Sequence, residues 1–228
     1  MKVVCFDLDD TLYKEIDYLK SAYKEIAAYA SNYCYGCSDS PMILAVKAYD
    51  VMLQTYMNGG NAFERLNDFL GLNLPISDYL QIYHDHKPDI QLSDVAVLAL
   101  DALKVSDSII GLITDGRSIQ QRNKIEALRL HRWIDDEDMV ISEEFGSEKP
   151  TSANYEYFME RYPNCKDFTY VGDNPRKDFI APNALRWTTI CLKDDGRNVH
   201  KQECSSIAND AMPGKIIKNL GELVNRRN

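Results

Sequence analysis

No stretch of this sequence approaches the roughly 20 consecutive apolar residues that a membrane-spanning helix needs, so no such helix is expected. The opening residues carry one lysine and then the run Cys5-Phe6-Asp7, without the apolar segment of a secretory leader. The six cysteines are scattered, and with no leader expected they are read as reduced thiols in a cytoplasm. Internal repeats and low-complexity tracts are absent. Basic residues are in deficit: 26 Lys and Arg stand against 35 Asp and Glu, a formal net charge of −9. Nucleic acid is held by clustered Lys and Arg. Neither nucleic acid nor a membrane is therefore expected as a partner, and a small molecule is.

What is present is an ordinary globular composition, 45% hydrophobic and 27% charged over 228 residues. That length is long for one small domain and short for two, which suggests a main domain carrying an insertion. Lys2 to Phe6 is short, β-branched and apolar, and it breaks into Asp7-Leu8-Asp9-Asp10-Thr11, as a buried strand ending in a polar loop would. From Lys14 to about Pro88 the pattern changes. Ile16, Leu19, Tyr23, Ile26, Ala30 and Tyr33 recur at helical spacing. Further helical runs cover about Met42–Tyr56, Ala62–Leu70 and Ser77–Tyr83. Alternation then returns. Strands are predicted near Ser108–Ile113, Met139–Ile141, Phe168–Val171 and Trp187–Leu192. Helices are predicted near Asp94–Lys104, Ile119–Leu128, Ser152–Tyr162 and Leu220–Arg226. Strands alternating with helices imply a doubly wound α/β fold, a parallel-sheet Rossmann-like core with an inserted helical cap domain. The core is assigned to residues 1–13 and 91–228, the cap to 14–90.

Three apolar runs end in polar clusters: Asp7/Asp9/Thr11, Thr114/Asp115 and Asp173/Asn174/Asp178. Ligands of open parallel sheets bind at the carboxyl edge. If these strands are neighbours, Asp7, Asp9, Asp173 and Asp178 converge. Crowded carboxylates resist ionisation unless a cation sits among them, and hard oxygen donors suit Mg²⁺. The period-two spacing of Asp7 and Asp9 would put both side chains on one side of an extended chain. Lys149 adds a positive charge for an anionic substrate. Thr114, with the amides of Asp115 and Gly116 ahead of a helix, is suited to phosphate oxygens. Together these make a phosphoryl-transfer inventory.

The segments Asp7-Leu8-Asp9-Asp10-Thr11, Ile113-Thr114-Asp115-Gly116, Glu148-Lys149-Pro150 and Gly172-Asp173-Asn174-Pro175-Arg176-Lys177-Asp178 resemble, in order, the four motifs of the haloacid dehalogenase-like hydrolase superfamily. The helical insertion resembles the small cap of one branch. The run Thr114-Asp115-Gly116-Arg117, with Gln121 and Lys124 downstream, resembles that branch's sugar-phosphate and nucleotide phosphatases. The resemblance implies Asp7 as nucleophile, forming an aspartyl-phosphate that water then hydrolyses. It implies Asp9 as the acid that protonates the leaving oxygen and then the base for water. That role requires Asp9 to hold a proton part of the time, which crowding among acids is expected to favour. Asp7, Asp173 and Asp9, the last through its backbone carbonyl, would hold Mg²⁺. Thr114, Asp115 and Lys149 would bind the phosphoryl oxygens, with Asp178, Asn174 and Thr11 in support. Dehalogenases of this fold lack the second aspartate of the first motif; Asp9 is present, so dehalogenation is excluded.

The expected function is Mg²⁺-dependent hydrolysis of a small phosphomonoester, a sugar phosphate or nucleoside monophosphate, by a cytoplasmic monomer or weak dimer. The alternatives are a phosphomutase of the same superfamily and a non-catalytic binding protein on the same scaffold. Cys34-Tyr35-Gly36-Cys37, with His84 and His86, has the spacing of a zinc or redox pair but lacks a second cysteine pair, so packed thiols are expected. Ten of the fourteen tyrosines precede Pro88 and are read mainly as core packing. Arg176, Lys177 and Asp194-Asp195-Gly196-Arg197 are read as solvated loop residues, and Arg117 as one that could reach substrate.

Overall fold

A computed structural model describes residues 1–35, 38–202 and 209–224. Its helices are α1 (Glu15–Ser31), α2 (Pro41–Met57), α3 (Ala62–Leu70), α4 (Ile76–Asp85), α5 (Asp94–Val105), α6 (Ser118–Ala127), α7 (Ser142–Phe145), α8 (Ala153–Arg161) and α9 (Ile180–Ala184). The chain divides into two compact units, Met1–Ile16 with Gln91–Asn228, and Asp17–Ile90. Among the described residues no helix is long and apolar enough to cross a membrane.

The first unit is built on strands β1 (Lys2–Phe6), β2 (Ser108–Thr114), β3 (Met139–Ile141), β4 (Phe168–Gly172), β5 (Thr188–Leu192) and β6 (Lys215–Ile217), ordered β3-β2-β1-β4-β5-β6. Every neighbouring pair is parallel. β1 is buried from Val3 onward because it lies in the middle of the sheet, covered on both faces. The winding runs outward from β1 to β3, then returns to place β4 on β1's free side. That reversal opens a crevice at the carboxyl ends of β1 and β4, the place such sheets bind ligands. Phe6 pairs with Leu112 on one side and Val171 on the other, so the residues after β1 emerge between two strand ends.

The core on one face of the sheet gathers Val3, Cys5, Tyr155, Phe158, Tyr170 and Trp187. Trp187 stacks on Phe168, with centroids 4.9 Å apart and planes at 25°. Gly111 in β2 is required by this packing: a Cβ there would lie 2.5 Å from the Phe158 ring and 2.8 Å from Cys5 Sγ.

The second unit is helical and packed by aromatics. Tyr79 is fully buried, 5.8 Å from the Phe63 ring, and its hydroxyl donates to Asn67 Oδ1 at 2.7 Å. Tyr23 meets Phe63 and Tyr56 edge-on, and the Tyr18 hydroxyl donates to the Tyr83 carbonyl. His86 is held by Glu25 through Nδ1 and by Ser21 Oγ through Nε2 at 2.7 Å. Cys34 Sγ donates to the Leu70 carbonyl at 3.6 Å, and Cys37 lies outside the described residues.

Several elements differ from the sequence-based expectation; the short helices α7 and α9 were not predicted. The C-terminal helix is a 3-10 turn over Leu220–Leu223, and residues 225–228 lie outside the described ones. β6 was not predicted. A three-residue edge strand gives too little alternation to register as a period.

Replacing Gly111 by Ala should lower stability by about 1–3 kcal/mol through overpacking, read from the urea midpoint. An unchanged midpoint would mean that α8 does not pack this closely on β2.

Candidate active site

Asp7 follows β1 directly, and its amide donates to the Val171 carbonyl at 2.8 Å, which ties it to the end of β4. Asp173 follows β4 after Gly172. From the next turn Asp178 folds back, its Oδ2 accepting the amides of Asp173 (3.1 Å) and Asn174 (2.8 Å). A Cβ on Gly172 would come within 2.5 Å of that oxygen, so only glycine permits the cap. Lys149 inserts its ammonium between the acids. Nζ donates to Asp7 Oδ1 at 2.6 Å, Asp178 Oδ1 at 2.8 Å and the Tyr170 hydroxyl at 3.1 Å. Asp7, Asp173 and Asp178 each offer an oxygen within 4.8 Å of the others, and all three are buried.

This cluster is electrostatically strained. Burial and the charge of Asp178 push the Asp7 carboxyl up to about 7, although Lys149 opposes them. Burial, then Asp7 and Asp178, push Asp173 to about 9. Burial alone would lower the Lys149 ammonium; Asp178 and Asp7 outweigh it and hold the pKa well above the usual value. A divalent cation fits. Asp178 is used up by Lys149 and two amides, whereas Asp7 and Asp173 are hard-oxygen donors whose charges repel and which a cation would let ionise.

Asp9 stands apart from this group, contrary to the expected convergence of four acids. β1 ends at Phe6, and Asp10 adopts a left-handed φ of 56°, so the chain turns instead of continuing extended. The Asp9 carboxylate accepts from Lys124 Nζ at 2.8 Å on both oxygens, from Gln121 Nε2 at 3.3 Å and from the Tyr13 hydroxyl. Burial pushes Asp9 up, but Lys124, with Tyr13 and Gln121, outweighs it and holds the carboxyl below its usual range. The expectation that crowding favours a proton on Asp9 is thereby corrected. The protonating environment falls instead on Asp7, Asp173 and Glu15, the last raised to about 8 by burial and the charge of Asp9.

Thr114 ends β2 with its hydroxyl buried and unpartnered, and the Thr11 hydroxyl is in the same condition. Asp115 does not offer its side chain to an anion: Oδ1 accepts the Lys149 amide at 3.1 Å and Oδ2 the Lys177 ammonium at 3.0 Å. The Gly116 amide, expected to face phosphate, donates to Ser142 Oγ at 3.0 Å. Lys177, read from sequence as solvated, is paired because its turn closes over Asp115. Asn198, next to the run 194–197, donates to Asp173 Oδ2 at 2.8 Å. Arg117 is exposed. A cavity of about 200 Å³ within the first unit is lined by Asp7, Asp9, Glu15, Lys124, Asp173 and Lys177, among others. Tyr13, Asn198 and the pairing of Lys124 with Asp9 were not legible beforehand. They depend on side chains 115 or more residues apart in the case of Lys124.

The sequence profile of the haloacid dehalogenase-like hydrolases matches residues 4–191. The chain belongs to that family and is an enzyme of it. It is 29% identical to the glyceraldehyde 3-phosphate phosphatase of Methanocaldococcus jannaschii over 96% of this chain and 98% of that protein. Among solved structures it resembles the HAD phosphatase from Thermococcus onnurineus, with TM-score 0.59 and 19% identity over 98% of this chain and 96% of that one. It also resembles a magnesium-bound HAD-hydrolase from Bacillus subtilis, with TM-score 0.65 and 19% identity over 99% of both chains. The last two likenesses carry the fold.

Two outcomes are expected. Removing the charge with Lys149→Met leaves buried Asp7 and Asp178 without their cation and should destabilise by about 3–5 kcal/mol in denaturant titration. Asp7, Asp173 and Glu15 also bind protons more tightly folded than unfolded, so folding stability falls as pH rises from the usual carboxylate range toward about 9. Metal-free protein should therefore melt lower at pH 8 than at pH 5.5. If these acids hold a divalent cation, that cation at a fixed concentration should raise the melting temperature more at pH 8 than at pH 5.5. A melting temperature that rises with pH without metal would contradict this charge arrangement.

Proposed function

We propose that this hydrolase is a Mg²⁺-dependent phosphatase of small phosphomonoesters, working through an aspartyl-phosphate on Asp7. The observation that carries the reading is the Lys149 ammonium buried against Asp7 and Asp178, with Asp173 beside them and an unsatisfied Thr114 hydroxyl at the end of the neighbouring strand. Asp7 and Asp173, with the backbone carbonyl of Asp9, would hold Mg²⁺. The ion supplies charge neutralisation on the phosphoryl oxygens and lets Asp7 react as a carboxylate.

The Asp7 carboxylate attacks phosphorus, and the bond to the leaving oxygen breaks. Lys149 and Thr114 hold the phosphoryl oxygens. Asp115 acts on them indirectly by fixing the Lys149 backbone and Lys177. Asp9, on the wall of the same cavity and ionised at rest beside Lys124, takes up a proton from solvent, hands it to the leaving oxygen and takes one back from the water that cleaves the aspartyl-phosphate. Asp178 orients Lys149 and the amides of Asp173 and Asn174. The helical unit at Asp17–Ile90 is the inserted cap of this reading.

A short sugar phosphate is the proposed substrate class. The small cavity and the relatives named for glyceraldehyde 3-phosphate support it. A cytoplasmic setting belongs to the same reading, consistent with reduced thiols at Cys5, Cys34, Cys165 and Cys191. The test is a panel of phosphorylated metabolites with Mg²⁺, beside Asp7→Asn. Turnover should concentrate on short sugar phosphates, vanish with EDTA, and fall by at least about 1,000-fold in Asp7→Asn. Equal turnover by wild type and Asp7→Asn would remove Asp7 from the mechanism.

A further inference from the structure

Lys124 is a buried cation that the reaction as written does not use. It sits on α6, with 1% of its residue surface exposed, and lines the same cavity as Asp7 and Asp173. Its ammonium lies 2.8 Å from each oxygen of Asp9. Gln121, three residues earlier, shares the same face of the helix. Its Nε2 donates to Asp9 Oδ2 at 3.3 Å and to the Asp115 carbonyl at 3.0 Å. Gly116 makes room for that amide, since a Cβ would approach Gln121 Nε2 to 2.4 Å. The Tyr13 hydroxyl closes the third side of the carboxylate.

The consequence is geometric. An aspartate in a turn with a left-handed neighbour at Asp10 has no strand to hold its side chain. Here donors from two elements fix the carboxylate in one place on the cavity wall. An uncompensated ammonium or carboxylate buried here is strongly disfavoured, so neither leaves the pair readily. A group that must meet a leaving oxygen within hydrogen-bond distance gains from that restriction.

We propose that Lys124 is a positioning residue for Asp9, holding its carboxyl where the leaving oxygen of the phosphoester lies. The role rests on the phosphatase reading above. It predicts a dependence on the leaving group. An alkoxide needs the proton that Asp9 delivers; p-nitrophenolate leaves without one. Misplacing Asp9 therefore slows transfer to Asp7 from the first ester and spares transfer from the second, while hydrolysis of the shared aspartyl-phosphate slows alike for both; a loss of packing harms transfer from both.

The experiment compares Lys124→Met, Lys124→Arg, Asp9→Asn and Asp7→Asn on glycerol 3-phosphate, an unactivated alkyl ester, and on p-nitrophenyl phosphate. Lys124→Met should lower kcat on the alkyl ester by about 100-fold with KM little changed. It should lower the single-turnover rate of p-nitrophenolate release by no more than a few-fold, which also reports that the variant is folded. Lys124→Arg should restore part of the alkyl-ester kcat. Adding Lys124→Met to Asp9→Asn should cost little more, because the two act as one unit. Equal losses in the single-turnover rate of leaving-group release from both esters, or a raised KM with kcat intact, would overturn the positioning role. An active Asp7→Asn would instead overturn the phosphatase reading itself.

Discussion

The ammonium of Lys149 between Asp7 and Asp178 is the interaction on which the rest of the site depends. A lysine with 4% of its surface exposed can stay charged only where carboxylates repay its lost hydration. Two carboxylates as close as Asp7 and Asp178 are tolerated for the complementary reason. The pair spans three separate parts of the chain: the end of β1, the approach to α8 and the turn after β4. Its formation therefore joins the winding of the sheet to the assembly of the site. Tyr170, inside β4, adds a hydroxyl to the same ammonium, which carries the network into the core.

The remaining charges are sorted around that pair. Asp173 is left with more negative neighbours than positive ones, and its carboxyl is pushed up to about 9. Asp9 has the opposite surroundings, with Lys124 on both oxygens. One small cavity thus holds an acid cluster in need of a cation and a separate carboxylate already supplied with one. Asp115 performs a third task, joining the Lys149 backbone to the Lys177 ammonium. Carboxylates of the same chemistry take different parts because burial and the nearest cation differ at each.

Small residues set how close these groups approach. Gly172 allows Asp178 to reach two backbone amides, and Gly116 leaves space for Gln121. In each case a methyl group would enter the volume of a polar side chain that the site uses. The helical unit is organised differently: tyrosine rings meet edge-on, and hydroxyls such as those of Tyr79 and Tyr18 find internal acceptors. That explains why tyrosine is concentrated before Pro88 without requiring each ring to touch substrate.

The sequence by itself determined the alternation of strands and helices, the helical stretch after the first strand, and the polar residues at strand ends, because periodicity and turn chemistry are local. Asp7, Lys149, Asp173 and Asp178 were legible for the same reason, each lying in a short recognisable run. Only the tertiary structure decided which acids meet. Asp9 follows the end of β1 and stays apart from the cluster, and α6 carried Lys124 to it across 115 residues. It also gave Lys177 a partner in Asp115 where a solvated loop residue was expected, and it brought Asn198, on which no expectation rested, to Asp173. Pairing of buried charges depends on distances between remote segments and on shared desolvation, and neither is encoded in any local pattern.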